Sequence, residues 1–351
     1  MHRTLPRFVE RKKLQSLPKP NGFSSLLPCY ACFAEQTGEV KSANLTDTRL
    51  SSPFSWRGDS FPPILDSETP NHLERIRELG IPTIFDIHTH FFPETIMKLI
   101  WRWFDNVNWA IGYRLPELER VKRLHHNGIK HFTTLNYAHK KEMASSLNDW
   151  TYANYQNWEG AIPFGTFYPE ESVLAYVKKA VETYGFRGFK LHCEVSKLNL
   201  NDPELSDTFR YLEQKEIPIL IHTGTAPLPG EFTGIQFFLP FMETYPKLNV
   251  IVAHMGAHEI SAYASLLGRF PNLALDTTMV FVDFLATGKE TEVDAAIPLL
   301  ETYQNQIYFG SDFPNIPYHL NHPISKLLDL PISDLAKQKI LYQNAKNRFF
   351  K

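Results

Sequence analysis

Phe85-Asp86-Ile87-His88-Thr89-His90 decides the fold class of this chain. The stretch closes a short aromatic and β-branched run, and it puts two imidazoles where an open doubly wound sheet usually has a Gly-rich turn. Side chains alternate along a strand, so Asp86, His88 and His90 fall on one face and Phe85, Ile87 and Thr89 on the other. Residues two apart are separated by about 6.6 Å along a strand. Imidazoles reaching inward from that separation can converge on one ion at roughly 2.0–2.1 Å.

Downstream, the same kind of run recurs, each time followed by a segment of helical period. The expected strands are Thr83–His88, Lys130–Leu135, Ala161–Phe167, Phe186–His192, Ile217–His222, Leu248–His254, Asn272–Thr277 and Gln306–Gly310. Helical stretches such as Glu94–Phe104, Lys140–Trp158, Glu170–Thr183 and Pro203–Gln214 lie between them. Regular alternation with this strand count predicts an α/β fold, a parallel (β/α)₈ TIM barrel over residues 81–351.

A barrel of this type gathers its reactive groups at the C-terminal ends of the strands. Of the chain's 14 histidines, His88, His90, His192, His222 and His254 fall at or just past expected strand ends. Ile217-Pro-Ile-Leu-Ile-His-Thr-Gly224 is almost wholly apolar until His222, as suits a strand buried on both faces. Val250-Ile-Val-Ala-His-Met-Gly256 repeats the design with His254. Gly310-Ser-Asp-Phe-Pro314 follows the last strand, and Asp312 there can ligate a cation or accept the proton of a water. A helix cap or an Asx-turn is the plainer use of that aspartate. Gly188-Phe-Lys-Leu-His192 sets Lys190 and His192 on one face. Spacing leaves open whether Lys190 bridges two metals as a carbamate, binds a substrate anion or pairs with a carboxylate, and whether His192 is a ligand or a substrate contact. Asp86 is better placed to orient a ligand imidazole or to pack in the barrel than to bind metal.

Composition narrows the rest. Apolar residues at 43% and charged residues at 21% can build one large soluble core. The formal net charge of −2 gives no overall attraction to nucleic acid or an anionic membrane, and no apolar run of about 18 residues exists to span one. Three cysteines, at 29, 32 and 193, are too few for a disulfide framework and suit a reducing, cytoplasmic setting. Cys29 and Cys32 form a C-x-x-C without a second Cys or His pair nearby. Residues 1–80 lack sustained periodicity until Asn71–Leu79, and six Lys or Arg against one Glu occupy the first 34 positions. They are expected to be a largely disordered extension, joined to the core by a short helix near 70–79.

Asp86-Ile-His-Thr-His-Phe-Phe-Pro93, Lys190-Leu-His192, Ile221-His-Thr-Gly224, Ala253-His-Met-Gly256 and Gly310-Ser-Asp-Phe-Pro314 together resemble the amidohydrolase superfamily. The likeness is to its amidohydrolase-related branch, which includes enzymes of the aminocarboxymuconate-semialdehyde decarboxylase type. It implies His88, His90, His222 and Asp312 as metal ligands, His254 and Asp312 in catalysis, and Lys190 with His192 as substrate-binding or metal-bridging groups. It implies one divalent ion per chain, with zinc favoured by the imidazole and carboxylate donors and manganese or iron(II) also fitting. The expected partner is a small, anionic substrate, and a homo-oligomer is compatible. Hydrolysis of an amide, lactone or related bond by a metal-activated water stands first among the activities. Non-oxidative decarboxylation of an unsaturated or aromatic acid stands second, and a ligand-binding barrel without turnover third. The loops Trp101–Tyr113 and Thr225–Gln236 carry aromatics but no readable specificity code.

Overall fold

The apolar runs form the strands, because only they can be buried on both faces. In the computed structural model, which describes residues 71–106, 109–227, 229–282 and 290–350, these are β1 (Ile84–Asp86), β2 (Ile129–Thr134), β3 (Ala161–Thr166), β4 (Gly188–His192), β5 (Ile219–His222), β6 (Val250–Val252), β7 (Leu273–Asp276) and β8 (Ile307–Tyr308). Among the described residues they make one eight-stranded sheet in chain order, each strand parallel to the next. The sheet then closes on itself beyond the ladders. Ile87 N donates to Phe309 O (3.0 Å), Asp312 N to His88 O (2.9 Å) and His90 N to Phe313 O (2.7 Å). Thr89 and Phe313 form a parallel bridge across the same seam. The fold is a (β/α)₈ TIM barrel, as the alternation predicts.

Seven strands lie inside their expected spans and β2 starts one residue early, at Ile129, and the trimmed residues have a physical reason. At β1 and β8 the last residues leave the ladder to bond across the seam, so His88, His90 and Asp312 sit on the closing turns themselves. Helices follow the apolar period. Val173–Glu182, for example, buries Val173, Tyr176, Val177 and Ala180, the i, i+3, i+4, i+7 stripe that faces a core. The helix Glu117–His126 stops before Gly128, whose φ of 79° turns the chain into β2. A Cβ at Gly128 would come within 2.7 Å of Leu73.

The helix His72–Glu78 lies beside Asn321–Asp329, tied by Arg75 to Asp329 (2.7 Å) and by Gln338, which donates to Leu79 O (2.7 Å). Residues 1–70 of the expected extension, with Cys29 and Cys32, lie outside the described residues. No helix among the described residues is long and apolar enough to cross a membrane.

Two apolar clusters divide the core. The larger fills the layer between strands and helices. The smaller lies inside the barrel, where Phe85, Ile162, Phe164, Leu220, Ile251, Ala274 and Tyr308 meet Phe349. Phe349 comes from the last helix, Asn344–Phe349, and caps the end of the barrel opposite the histidines, its ring 5.6 Å from Phe85 and 5.7 Å from Phe164. Phe349→Ala should therefore cost about 3–5 kcal/mol of stability, read from urea unfolding. A loss below about 1 kcal/mol would show that the helix does not plug the barrel.

Candidate active site and metal centre

Inward-facing positions change from apolar to polar toward the C-terminal ends of the strands. Leu220 gives way to His222 on β5, Ala274 to Asp276 on β7, and β4 presents Lys190 and then His192. His254 lies just past β6, on a turn where it and Met255 have left-handed backbone (φ 55° and 51°). Asp312 is left-handed too (φ 69°). Non-glycine residues in this region cost about 1–3 kcal/mol each, so their surroundings hold both side chains in place. Lys190 is fully buried, and His88, His90, His222 and His254 are each less than one-tenth exposed.

The contacts assign a tautomer to each ring. His88 Nδ1 is 2.9 Å from Asp276 Oδ2 and His88 Nε2 is 3.3 Å from Lys190 Nζ. A carboxylate accepts and an ammonium donates, so His88 carries its proton on Nδ1. His90 Nε2 donates to Asp312 Oδ1 (2.9 Å), and His88 Nε2 lies 3.5 Å from the same oxygen. His222 Nε2 donates to Ala226 O (3.0 Å), leaving Nδ1 as the acceptor of the neutral ring. His254 Nδ1 donates to Thr278 O (3.0 Å), leaving Nε2. His192 Nδ1 accepts from Val195 N (3.3 Å). The His192 and His222 rings stack at 4.0 Å, while His254 stands 4.7 Å from His222 and 5.1 Å from His88.

Burial dominates the electrostatics. Desolvation, reinforced by the Lys190 charge, lowers His88 to about 3, so the ring is neutral near pH 7. Desolvation also lowers His90, and it lowers His192 and His222 well below the usual range with help from neighbouring imidazoles and Lys190. Burial pulls Lys190 down to about 8, against the attraction of Asp276 and Asp312. For Asp312, burial pushes upward, but the hydrogen bond from His90 and the nearby imidazoles outweigh it and hold the carboxyl far below its ordinary range. Asp276 behaves alike through His88. The result is neutral imidazoles around ionised carboxylates, the state in which both serve as metal donors.

One group of side chains among the described residues is arranged for a cation. Ligand atoms of His88, His90 and Asp312 all lie within 4.8 Å of one another. Two neutral imidazoles and a carboxylate converging in a dry site suit a divalent ion of the zinc or manganese type. His222 lies outside that close group, reached through the ring of His254. His192 sits behind His222, and Lys190 touches His88 directly.

Asp86 does not meet an imidazole. Its Oδ1 accepts from the backbone N of His88 (3.0 Å) and of Ser311 (3.1 Å), pinning the turns after β1 and β8 together. Trp101 packs in the core and donates to Asn315 Oδ1 (3.2 Å), so it braces the segment after Asp312.

Four contributing residues were not singled out in the sequence. Asp276 ends β7 at an inward position, the same signal that marks His222 on β5. Tyr137 and Phe92 form an aromatic wall: Tyr137 is 5.8 Å from the His90 ring and 5.0 Å from His192, and Phe92 stacks at 6.2 Å on His90. Arg120, buried beneath Phe91, donates to His90 O (3.1 Å). No local pattern marks Tyr137, Phe92 or Arg120, because each acts through tertiary contact.

Comparisons with known proteins agree with this geometry. The chain matches the family model described as amidohydrolase over residues 85–350. Curated protein sequences gave no match. Among solved structures, an uncharacterized TIM-barrel protein from Bordetella bronchiseptica is similar at 19% identity and TM-score 0.61, covering 76% of this chain and 98% of that one. A 2,6-dihydroxybenzoate decarboxylase complexed with 2,6-dihydroxybenzoate is similar at 17% identity and TM-score 0.56, covering 77% and 99%. A 5-carboxyvanillate decarboxylase mutant from Novosphingobium aromaticivorans, with bound manganese and a nitrobenzoic acid, is similar at 16% identity and TM-score 0.54, covering 78% and 99%. With three quarters of its length matched by the family model and the barrel closed around a His-His-Asp group, the chain belongs to the amidohydrolase family.

Proposed function

We propose that this protein is a metal-dependent, non-oxidative decarboxylase of a small aromatic or unsaturated carboxylic acid. The observation that carries the reading is the aromatic wall of Phe92 and Tyr137 standing against a buried imidazole and lysine cluster. A planar acid would pack on the half-buried Tyr137 ring, which buried Phe92 backs at 5.1 Å, and a carboxylate stripped of water there is destabilised relative to neutral carbon dioxide. The activities of the two decarboxylases similar in fold support the same choice. The sequence alone ranked hydrolysis first, having no view of the wall.

His88, His90 and Asp312 would hold a divalent ion, with the Nδ1 of His222 as the further candidate donor. When bound, the ion supplies positive charge that orients and polarises an oxygen of the substrate. Lys190 contributes an ammonium beside the same place and holds the substrate carboxylate. His254, fixed through Nδ1 by Thr278 O, would take up a proton from solvent on its bare Nε2 and deliver it to the carbon that bears the carboxylate. The bond to the carboxylate carbon then breaks, its electron pair stays on the substrate carbon, and carbon dioxide leaves. Carboxylate plus proton thus becomes the hydrogen-substituted product plus carbon dioxide.

Hydrolysis is the second reading, favoured by the ionised Asp312 beside the imidazoles, which could accept a proton from an attacking water. The test is a panel of hydroxybenzoates, unsaturated diacids and lactones, assayed with manganese or zinc in ¹⁸O-enriched heavy water. The proposal expects labelled carbon dioxide from a ¹³C-carboxyl substrate and one deuterium on the product carbon. Oxygen from labelled water in a new carboxylate, with no carbon dioxide, would replace it by hydrolysis.

The Lys190 ammonium also sets a pH dependence. Its charge is present below about 8 and lost above, so KM should rise by up to about tenfold per pH unit beyond that point. Lys190→Met should remove the alkaline rise. An alkaline limb that persists unchanged in the variant would assign it to another group.

A further inference from the structure

We infer that Asp276 is a positioning residue that fixes two site histidines at once, the ring of His88 through one oxygen and the backbone of His254 through the other. The inference rests on the reading of His88 as a metal ligand, but its geometry stands without the ion. Asp276 Oδ2 accepts a hydrogen bond from His88 Nδ1–H at 2.9 Å. Asp276 Oδ1 accepts from His254 N at 2.9 Å and from Thr278 N at 3.1 Å.

The first bond leaves the His88 Nε2 lone pair toward Asp312 and Lys190, where an ion would bind. The second bond satisfies the backbone of the left-handed turn that carries His254, and Thr278 O receives His254 Nδ1–H. One fully buried carboxylate therefore sets which nitrogen of His88 is bare and where the His254 ring stands.

The two-oxygen arrangement makes asparagine an unusually informative replacement. Both backbone donors demand an oxygen at the Oδ1 position, so the amide NH₂ of an Asp276→Asn chain must face His88 Nδ1. Nδ1 then has to accept, and the His88 proton moves to Nε2, where it breaks the bond from Lys190 Nζ (3.3 Å) and points to Asp312 Oδ1, 3.5 Å away, as its acceptor. The metal-facing lone pair is lost while the turn of His254 keeps its bonds.

The experiment uses the full chain with ¹⁵N-labelled histidine. Tautomers are read from imidazole nitrogen shifts before metal is added, and zinc affinity is read by titration. His88→Gln serves to assign its signals. The inference expects Nδ1–H in the wild type and Nε2–H in Asp276→Asn. It also expects zinc affinity lower by about 10–100-fold in the variant, with an unchanged melting temperature. Asp276→Ala, which strips both backbone donors of their partner, should lower the melting temperature as well. His88 keeping Nδ1–H in Asp276→Asn would overturn the inference. A tautomer switch in a protein whose wild type binds no zinc would uphold it and overturn the metal reading instead.

Discussion

Asp312→Ala should yield a folded barrel that has lost its bound divalent ion and on the order of 10³-fold of its turnover. The carboxylate is the one anionic member of the close donor group, and His88 and His90 both aim Nε2 at its Oδ1. A resident cation contributes several kcal/mol of charge stabilisation to the reaction. At about 1.36 kcal/mol per decade, removal of that contribution gives the expected loss. Metal analysis after dialysis and initial rates on the same sample check both halves. Wild-type metal content in the variant would move the ion away from Asp312, whatever the rate.

His254→Ala should lower turnover by about 10²–10⁴-fold, the range for losing a proton-transfer group, and should leave the ion in place. The His254 ring is set apart from the close donor group, with Nδ1 committed to Thr278 O and Nε2 left for the substrate. In the proposed reaction its loss slows carbon dioxide release and deuterium incorporation by the same factor, because one proton serves both. Metal content and rate measured together separate the roles. A variant that loses its metal would make His254 a ligand, and a rate within about threefold of wild type would remove it from the chemistry.

The barrel was largely legible in the sequence because its strands are buried on both faces. Runs such as Ile217-Pro-Ile-Leu-Ile leave no other place for so much apolar surface, and their ends mark the mouth. That logic located His88, His90, Lys190, His192, His222, His254 and Asp312 around one opening. It could not locate what the opening does with them. Strict alternation puts Asp86 with His88 and His90, yet β1 ends at Asp86 and the seam with β8 takes over. Asp86 thereby clamps two backbones, and the carboxylate that meets His88 comes from β7, 188 positions later. The left-handed turn at His254 and the wall of Phe92 and Tyr137 likewise depend on distant packing that no local pattern encodes. The plug of Phe349 is of the same kind, a terminal residue given meaning by the hole it fills.

The central claim is that a catalytic divalent ion sits between His88, His90 and Asp312, and anomalous scattering tests it most directly. Crystals grown or soaked with manganese, with data collected where manganese scatters anomalously, should show one strong peak within about 2.0–2.3 Å of a ring nitrogen of His88, a ring nitrogen of His90 and a carboxylate oxygen of Asp312. A strong peak elsewhere, or no peak at that position in crystals from catalytically active protein, would contradict the account.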